Sequence, residues 1–116
     1  MTSFNLCTLI GRVGTEPEQR ENHEGVTITR FRLAFDVPGR DKEAQWLTVV
    51  CFKKLADLVS NYVKKGAWVL VSGRLSISTY TDKQNVEKTA VELLADNVIF
   101  LTPKAKAALH IPEEVA

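Results

Sequence analysis

Residues suited to catalysis or metal binding are scarce in this chain of 116 amino acids, which has only two histidines and two cysteines. His23 falls in a polar stretch and His110 near the C-terminal end, and neither stands close in sequence to Cys7 or Cys51. Neither a Cys–His nucleophile nor a plausible zinc ligand set is visible in this spacing. The carboxylates cluster in loops or beside lysines, and no two are marked out on a strand end as an acid/base pair. No catalysis, metal or cofactor is expected. Both cysteines lie inside strand patterns, where a small buried thiol is the expected role. No apolar run approaches the roughly 20 residues of a membrane span, and the start MTSFNLC has neither a basic leader nor a signal-length apolar run. A cytoplasmic protein is expected. Gly11 and Gly14 in the GRVG of residues 11–14 are followed by no GK[ST] and no helix. They predict a bend in a strand rather than a phosphate loop.

What the chain does have is concentrated between Gln45 and Tyr80. From Trp46 to Phe52 the period is two. Leu47, Val49 and Cys51 form a core face, and Trp46, Thr48, Val50 and Phe52 form the other. A face meant for water does not ordinarily carry both a Trp and a Phe, so this one reads as a binding surface. Leu55, Leu58, Val59, Tyr62 and Val63 then recur with helical spacing, an apolar stripe on about three turns. Lys64 and Lys65 suit the C-terminal dipole, and Gly66 is placed to end the helix in a left-handed conformation. From Ala67 the period returns to two. Ala67, Val69, Val71, Leu75 and Ile77 are expected inward, and Trp68, Leu70, Arg74 and Tyr80 outward, with Gly73 at a bend.

Net charge is only +1, but its distribution is uneven. Between Lys53 and Lys88, seven lysines and arginines face three carboxylates, an excess of +4, whereas residues 12–24 carry −2. Aromatic side chains interleaved with cations on a β surface suit a single-stranded nucleic acid. Each base stacked on an aromatic gains about 1–3 kcal/mol whatever its identity, and Lys and Arg follow the phosphates. A duplex would call for a basic helix or ribbon fitted to a groove, and the one helix here spends a face on the core. The residues expected to stack are Trp46, Phe52 and Tyr80. Those expected to meet the backbone are Arg30, Arg32, Lys53, Lys54, Lys64, Lys65 and Arg74. Trp68 is expected to cover core or a subunit contact.

Around this stretch the chain reads as follows. Leu6, Thr8 and Ile10 alternate against Cys7, Leu9 and Val13 in a first strand. Residues 15–25 are a polar turn, and Val26 to Val37 form a second strand with Phe31, Leu33, Phe35 and Val37 on one face. Pro38 to Lys42 make a turn. A polar tip at residues 81–85 joins Tyr80 to a last strand over residues 88–101, with Val91 and Leu93 inward. Five strands with one helix between the third and fourth is the order of the OB-fold, a five-stranded Greek-key barrel in the all-β class. The expected domain is 1–102, followed by a short flexible tail over 103–116. Edge strands and the apolar Leu47 predict a homo-oligomer.

The chain resembles the bacterial single-stranded DNA-binding proteins over residues 4–101. The resemblance is carried by Asn5, LIGRVGTEPE (9–18), Arg20, FRLAF (31–35), Arg40 with Asp41, QWLTVVCF (45–52), KLADLVSNYVKKG (54–66), VSGRL (71–75) and YTD (80–82). It implies an OB-fold, a homotetramer built as a dimer of dimers, and coating of single-stranded DNA in replication, recombination and repair, associated with the nucleoid. It also implies stacking at Trp46, Phe52 and Tyr80 and backbone contacts near Arg20, Lys54, Lys64 and Lys65. Gly39 stands where many relatives have a Trp, Ser78 and Thr79 where basic residues are common, and Leu47 where a polar residue is usual. Relatives usually end in a long linker and an acidic tip that recruits replication and repair enzymes. The sequence given ends in ALHIPEEVA, as expected of a tail-less paralogue or of a shortened chain, and that recruitment is not simply carried over. Two alternatives fit the same residues: an OB-fold partner or regulatory subunit, primosome-like or a paralogue, with weak DNA binding, and an RNA-binding OB protein.

Overall fold

A computed structural model describes residues 3–37, 39 and 43–101. The turn expected around Arg40 and Asp41 and the tail expected over 103–116 lie outside the described residues. Six strands and one helix follow in order: β1 (Cys7–Val13), β2 (Glu18–Glu21), β3 (Thr27–Phe35), β4 (Gln45–Phe52), α1 (Lys53–Tyr62), β5 (Trp68–Thr81) and β6 (Glu87–Leu101).

Five of these strands close a ring. β1 pairs antiparallel with β5, β5 with β6, and β3 with β4, while β4 and β6 pair in parallel. Two pairs, Arg12 with Ala34 and Val13 with Leu33, bring β1 back to β3 and complete the barrel. Gly11 makes that closure possible, because a Cβ there would overlap the Ala34 carbonyl. The sixth strand, β2, was expected as part of a polar turn. It pairs with the first half of β3, from Glu18 opposite Arg30 to Glu21 opposite Thr27. All four of its residues are exposed, so it has no apolar alternation to betray it.

Val13, Phe31, Leu33, Val49, Cys51, Val69, Val71 and Leu93 fill the barrel, and α1 closes one end with Ala56, Val59 and Val63. Each large apolar side chain buried in this way is worth about 1.5–3 kcal/mol. Thr29 is the one buried polar residue among those described, and its Oγ1 donates to the Ala56 carbonyl at 2.8 Å, tying the helix to β3. The buried face of α1 therefore runs through Ala56 and Val59, continued by Val63 just beyond its end, while Leu58 and Tyr62 of the expected stripe are exposed. Val63, in extended conformation, ends the helix. Gly66 does take a left-handed φ of 93°, but in the following turn, where its N–H donates to the Val13 carbonyl.

Two further expectations are corrected. Leu75, Ile77 and Val91 continue the inward alternation but are exposed, Ile77 by 68%. β1 pairs with β5 as far as Gly73 and β4 with β6 from Glu92 onward, so towards its tip the β5–β6 hairpin projects beyond the ring and its inner face loses its opposite wall. Val50, expected outward and open beside Trp46, is buried, with Arg30 and Leu94 as its cross-strand neighbours.

Candidate nucleic-acid interface

Directly paired residues on neighbouring strands share a face, so the register of β3 and β4 assembles an outer surface residue by residue. Ile28 lies beside Phe52, Arg30 beside Val50, Arg32 beside Thr48 and Ala34 beside Trp46. β2 adds Glu18 next to Arg30 and Arg20 next to Ile28. On the other flank β6 adds Glu92 and Leu94, and β5 continues the same face with Arg74, Ser76 and Tyr80.

The three expected stacking residues all lie on this surface, with Trp46 47%, Phe52 38% and Tyr80 51% exposed. Trp46 and Phe52 mark opposite ends of β4, about 20 Å apart at a strand rise of roughly 3.3 Å per residue. The Trp46 ring occupies the space that a side chain at Gly14 would fill. The Arg32 guanidinium carbon stands 4.9 Å from the ring centroid, a distance at which a cation is drawn to the π face. Tyr80 is on the projecting hairpin, paired with Lys88, towards the Trp46 end of the surface.

The expected cations divide into groups. Arg20, Arg30, Arg32, Lys53 and Lys54 surround Trp46 and Phe52, the two lysines opening α1 directly after Phe52. Lys53 does so with a φ of 58°, uncommon for a residue with a side chain. Arg74 is exposed across β6. Lys64 and Lys65 follow the far end of α1, whose ten residues are about 15 Å long, and lie near Val13.

Carboxylates temper this charge. Arg20 is 3.6 Å from Glu18, Arg30 is 3.7 Å from Glu92, and Lys88 is 3.4 Å from Asp82. Asp82 is held below the usual carboxylate range, chiefly by the hydrogen bond it accepts from the Val86 backbone N–H. Gln19 donates to Asp57 at 2.8 Å and fixes β2 against the helix. Burial pushes the Cys51 thiol up to about 12, as befits a core residue.

The sequence reading passed over Arg12, Lys88 and Glu92. Arg12 lies 4.8 Å from the Trp68 ring centroid. Lys88 was within reach, since a tip at residues 82–86 places it opposite Tyr80. Glu92 was not, because its approach to Arg30 depends on the parallel pairing of β4 and β6.

The profile of the Single-strand binding protein family matches residues 4–101. The chain belongs to that family. It is 38% identical over 105 residues to single-stranded DNA-binding protein 2 of Staphylococcus aureus strain COL, covering 87% of this chain and 76% of that one. To the mitochondrial single-stranded DNA-binding protein 1-B of Xenopus laevis it is 37% identical over 114 residues, covering 86% and 77%. The barrel superposes on the structure of a Plasmodium falciparum SSB in complex with ssDNA with a TM-score of 0.79 at 28% identity, over 88% of this chain and 98% of that one. The family's OB-fold is thus the fold of this chain, β2 being an addition to the five-stranded ring.

Proposed function

We propose that this single-strand binding family member binds single-stranded DNA without regard to sequence and without a chemical step, protecting it during replication, recombination and repair in the cytoplasm. The observation that carries the reading is one continuous surface on which Trp46, Phe52 and Tyr80 are each half exposed among cations. Bases stack on the three rings. Arg20, Arg30, Arg32, Lys53, Lys54 and Arg74 follow the phosphates, and Lys64 and Lys65 take up strand that continues past the helix. Anisotropy of a labelled oligo-dT across a salt series tests this, with the same oligonucleotide as a duplex and an oligo-U as competitors. Tight, salt-dependent binding that duplex fails to displace supports the proposal; equal competition by oligo-U moves it to RNA.

A second reading, an OB-fold partner subunit with weak DNA binding, draws on the ion pairs. Glu18 and Glu92 each hold a cation that a phosphate would need. A folded protein that ignores oligo-dT at low salt would favour it.

Self-association belongs to the same proposal. Phe4, Leu6, Leu75, Ile77 and Val91 are exposed apolar residues, and from Cys7 to Gly11 β1 pairs on one side only among the described residues. An open edge next to apolar surface is an association site, in keeping with a homotetramer formed as a dimer of dimers. Light scattering at micromolar concentration should give a mass well above the monomer's 12.9 kDa.

A further inference from the structure

Beside the C-terminal end of α1 the protein carries an apolar face away from Trp46 and Phe52. Leu58 and Tyr62 stand one helical turn apart on the outer side of the helix, and they are 39% and 67% exposed. Phe100 on β6 brings its ring to 6.3 Å from that of Tyr62. It pairs with Val69 and so shares its inner face, but this is the last pair but one of the ladder, and the ring is left partly open. Between the rings and the end of the barrel lies a groove of about 310 Å³, whose lining includes Tyr62, Val63, Ala67, Val69, Phe100 and Leu101. Its floor is core, since Val63, Val69 and Leu101 are buried. No lining residue is charged, and the exposed Lys64 and Lys65 follow Val63 directly. An apolar groove with a polar rim is an association site, and without a cation in its lining it is a poor seat for a phosphate.

The chain itself supplies an occupant. Leu101 is both a wall of the groove and the last described residue of β6. Two residues later Pro103 has no N–H with which to continue the ladder, so the chain has to leave the strand beside the groove. The first large apolar side chains after Leu101 are Leu109 and Ile111. The seven residues between Leu101 and Leu109 reach at most about 26 Å at 3.3 Å per residue, whereas α1 is about 15 Å long. The whole groove is therefore within reach, and so short a tether keeps Leu109 at high local concentration over it. Pro112 disfavours a helical conformation at Ile111. In an extended segment Leu109 and Ile111 point the same way and His110 points the other, which matches one apolar floor and a polar outer side.

We propose that residues 107–111 fold back onto this groove of their own chain, with Leu109 and Ile111 seated against Tyr62, Ala67 and Phe100. The segment closes the end of the barrel that α1 and β6 leave open, and it covers the two rings whose exposure the fold alone does not explain.

The test is NMR on the 116-residue chain with its Leu and Ile methyl groups labelled. The expected result is cross-peaks from the Leu109 and Ile111 methyls to the Tyr62 and Phe100 rings. A double variant, Leu109→Ser with Ile111→Ser, changes only residues beyond the barrel, and in it the ring signals of Tyr62 and Phe100 should shift while circular dichroism stays the same. Leu109 and Ile111 methyls at the shifts of an unstructured peptide, with no cross-peak to either ring, overturn the proposal. So do ring signals that the double variant leaves unmoved. A mixed sample identifies the source of the segment: one chain carries only labelled methyls in a deuterated background, and the other only protonated Tyr and Phe. Cross-peaks in that sample arise between chains, and they would overturn folding back in favour of exchange of the segment between two copies. Their absence there, with cross-peaks in the uniform sample, is the expected outcome.

Discussion

Arg32 holds its guanidinium carbon 4.9 Å from the centre of the Trp46 ring, on adjacent strands and on the same outer face. The pair joins the two interactions that the proposed function requires. An aromatic plane is available to a base, and a cation beside it is available to the phosphate that follows.

Removing the planes should weaken binding without altering its salt dependence. Trp46→Ala and Phe52→Ala each forfeit one stack, about 1–3 kcal/mol, which is roughly a 5- to 150-fold rise in Kd. Neither changes charge, so the salt slope should stay put. Anisotropy with oligo-dT checks both quantities, and circular dichroism checks the fold. Unchanged affinity in folded variants would remove these rings from the interface.

Glu92 should act in the opposite direction. It sits on the same face and holds Arg30 at 3.7 Å, with both side chains partly in solvent. Exposed pairs of this kind are worth about 0.2–1 kcal/mol, so Glu92→Gln should tighten oligo-dT binding by up to roughly five-fold at low salt. With Arg30 released, the salt slope should also steepen, by at most about 0.7. Weaker binding in Glu92→Gln would mean that the carboxylate orients Arg30 for the strand rather than withholding it.

How far these contacts could be read from the sequence follows from their range. The alternation from Trp46 to Phe52 specifies which side chains share a face, and the helical spacing after Lys53 specifies a helix. Both are local, and both appear in the fold. The burial of Val50, the Arg30–Glu92 pair and the seating of Trp46 over Gly14 depend instead on which strands become neighbours. Leu75 and Ile77 illustrate the same limit from the other side. Their alternation is correct for a strand, but period two cannot tell where the barrel wall ends. The four residues of β2 carry no pattern at all and are ordered by β3 and by the Gln19–Asp57 hydrogen bond.

Cys51 gives the fold a specific alkaline weakness. Burial raises its thiol from 9.0 to about 12. Below 9.0 the thiol keeps its proton whether the chain is folded or not. Between 9.0 and about 12 the unfolded chain releases the proton while the folded one retains it, so stability falls as pH rises, by about 1.4 kcal/mol per unit. Cys51→Ala should be less stable at neutral pH, because it leaves a cavity, yet lose less stability on going to high pH. Urea unfolding of both proteins across that range checks the difference in slope. Parallel curves would place the alkaline sensitivity elsewhere.

The measurement that bears most directly on the account is tryptophan emission of Trp68→Phe, in which Trp46 alone reports, during titration with oligo-dT at several salt concentrations. The account predicts strong quenching of Trp46, with an affinity that falls steeply as salt increases, at about 0.7 in log–log slope for each phosphate neutralised. A folded protein whose Trp46 emission stays constant at low salt, under conditions where anisotropy of a labelled strand also stays constant, would contradict it.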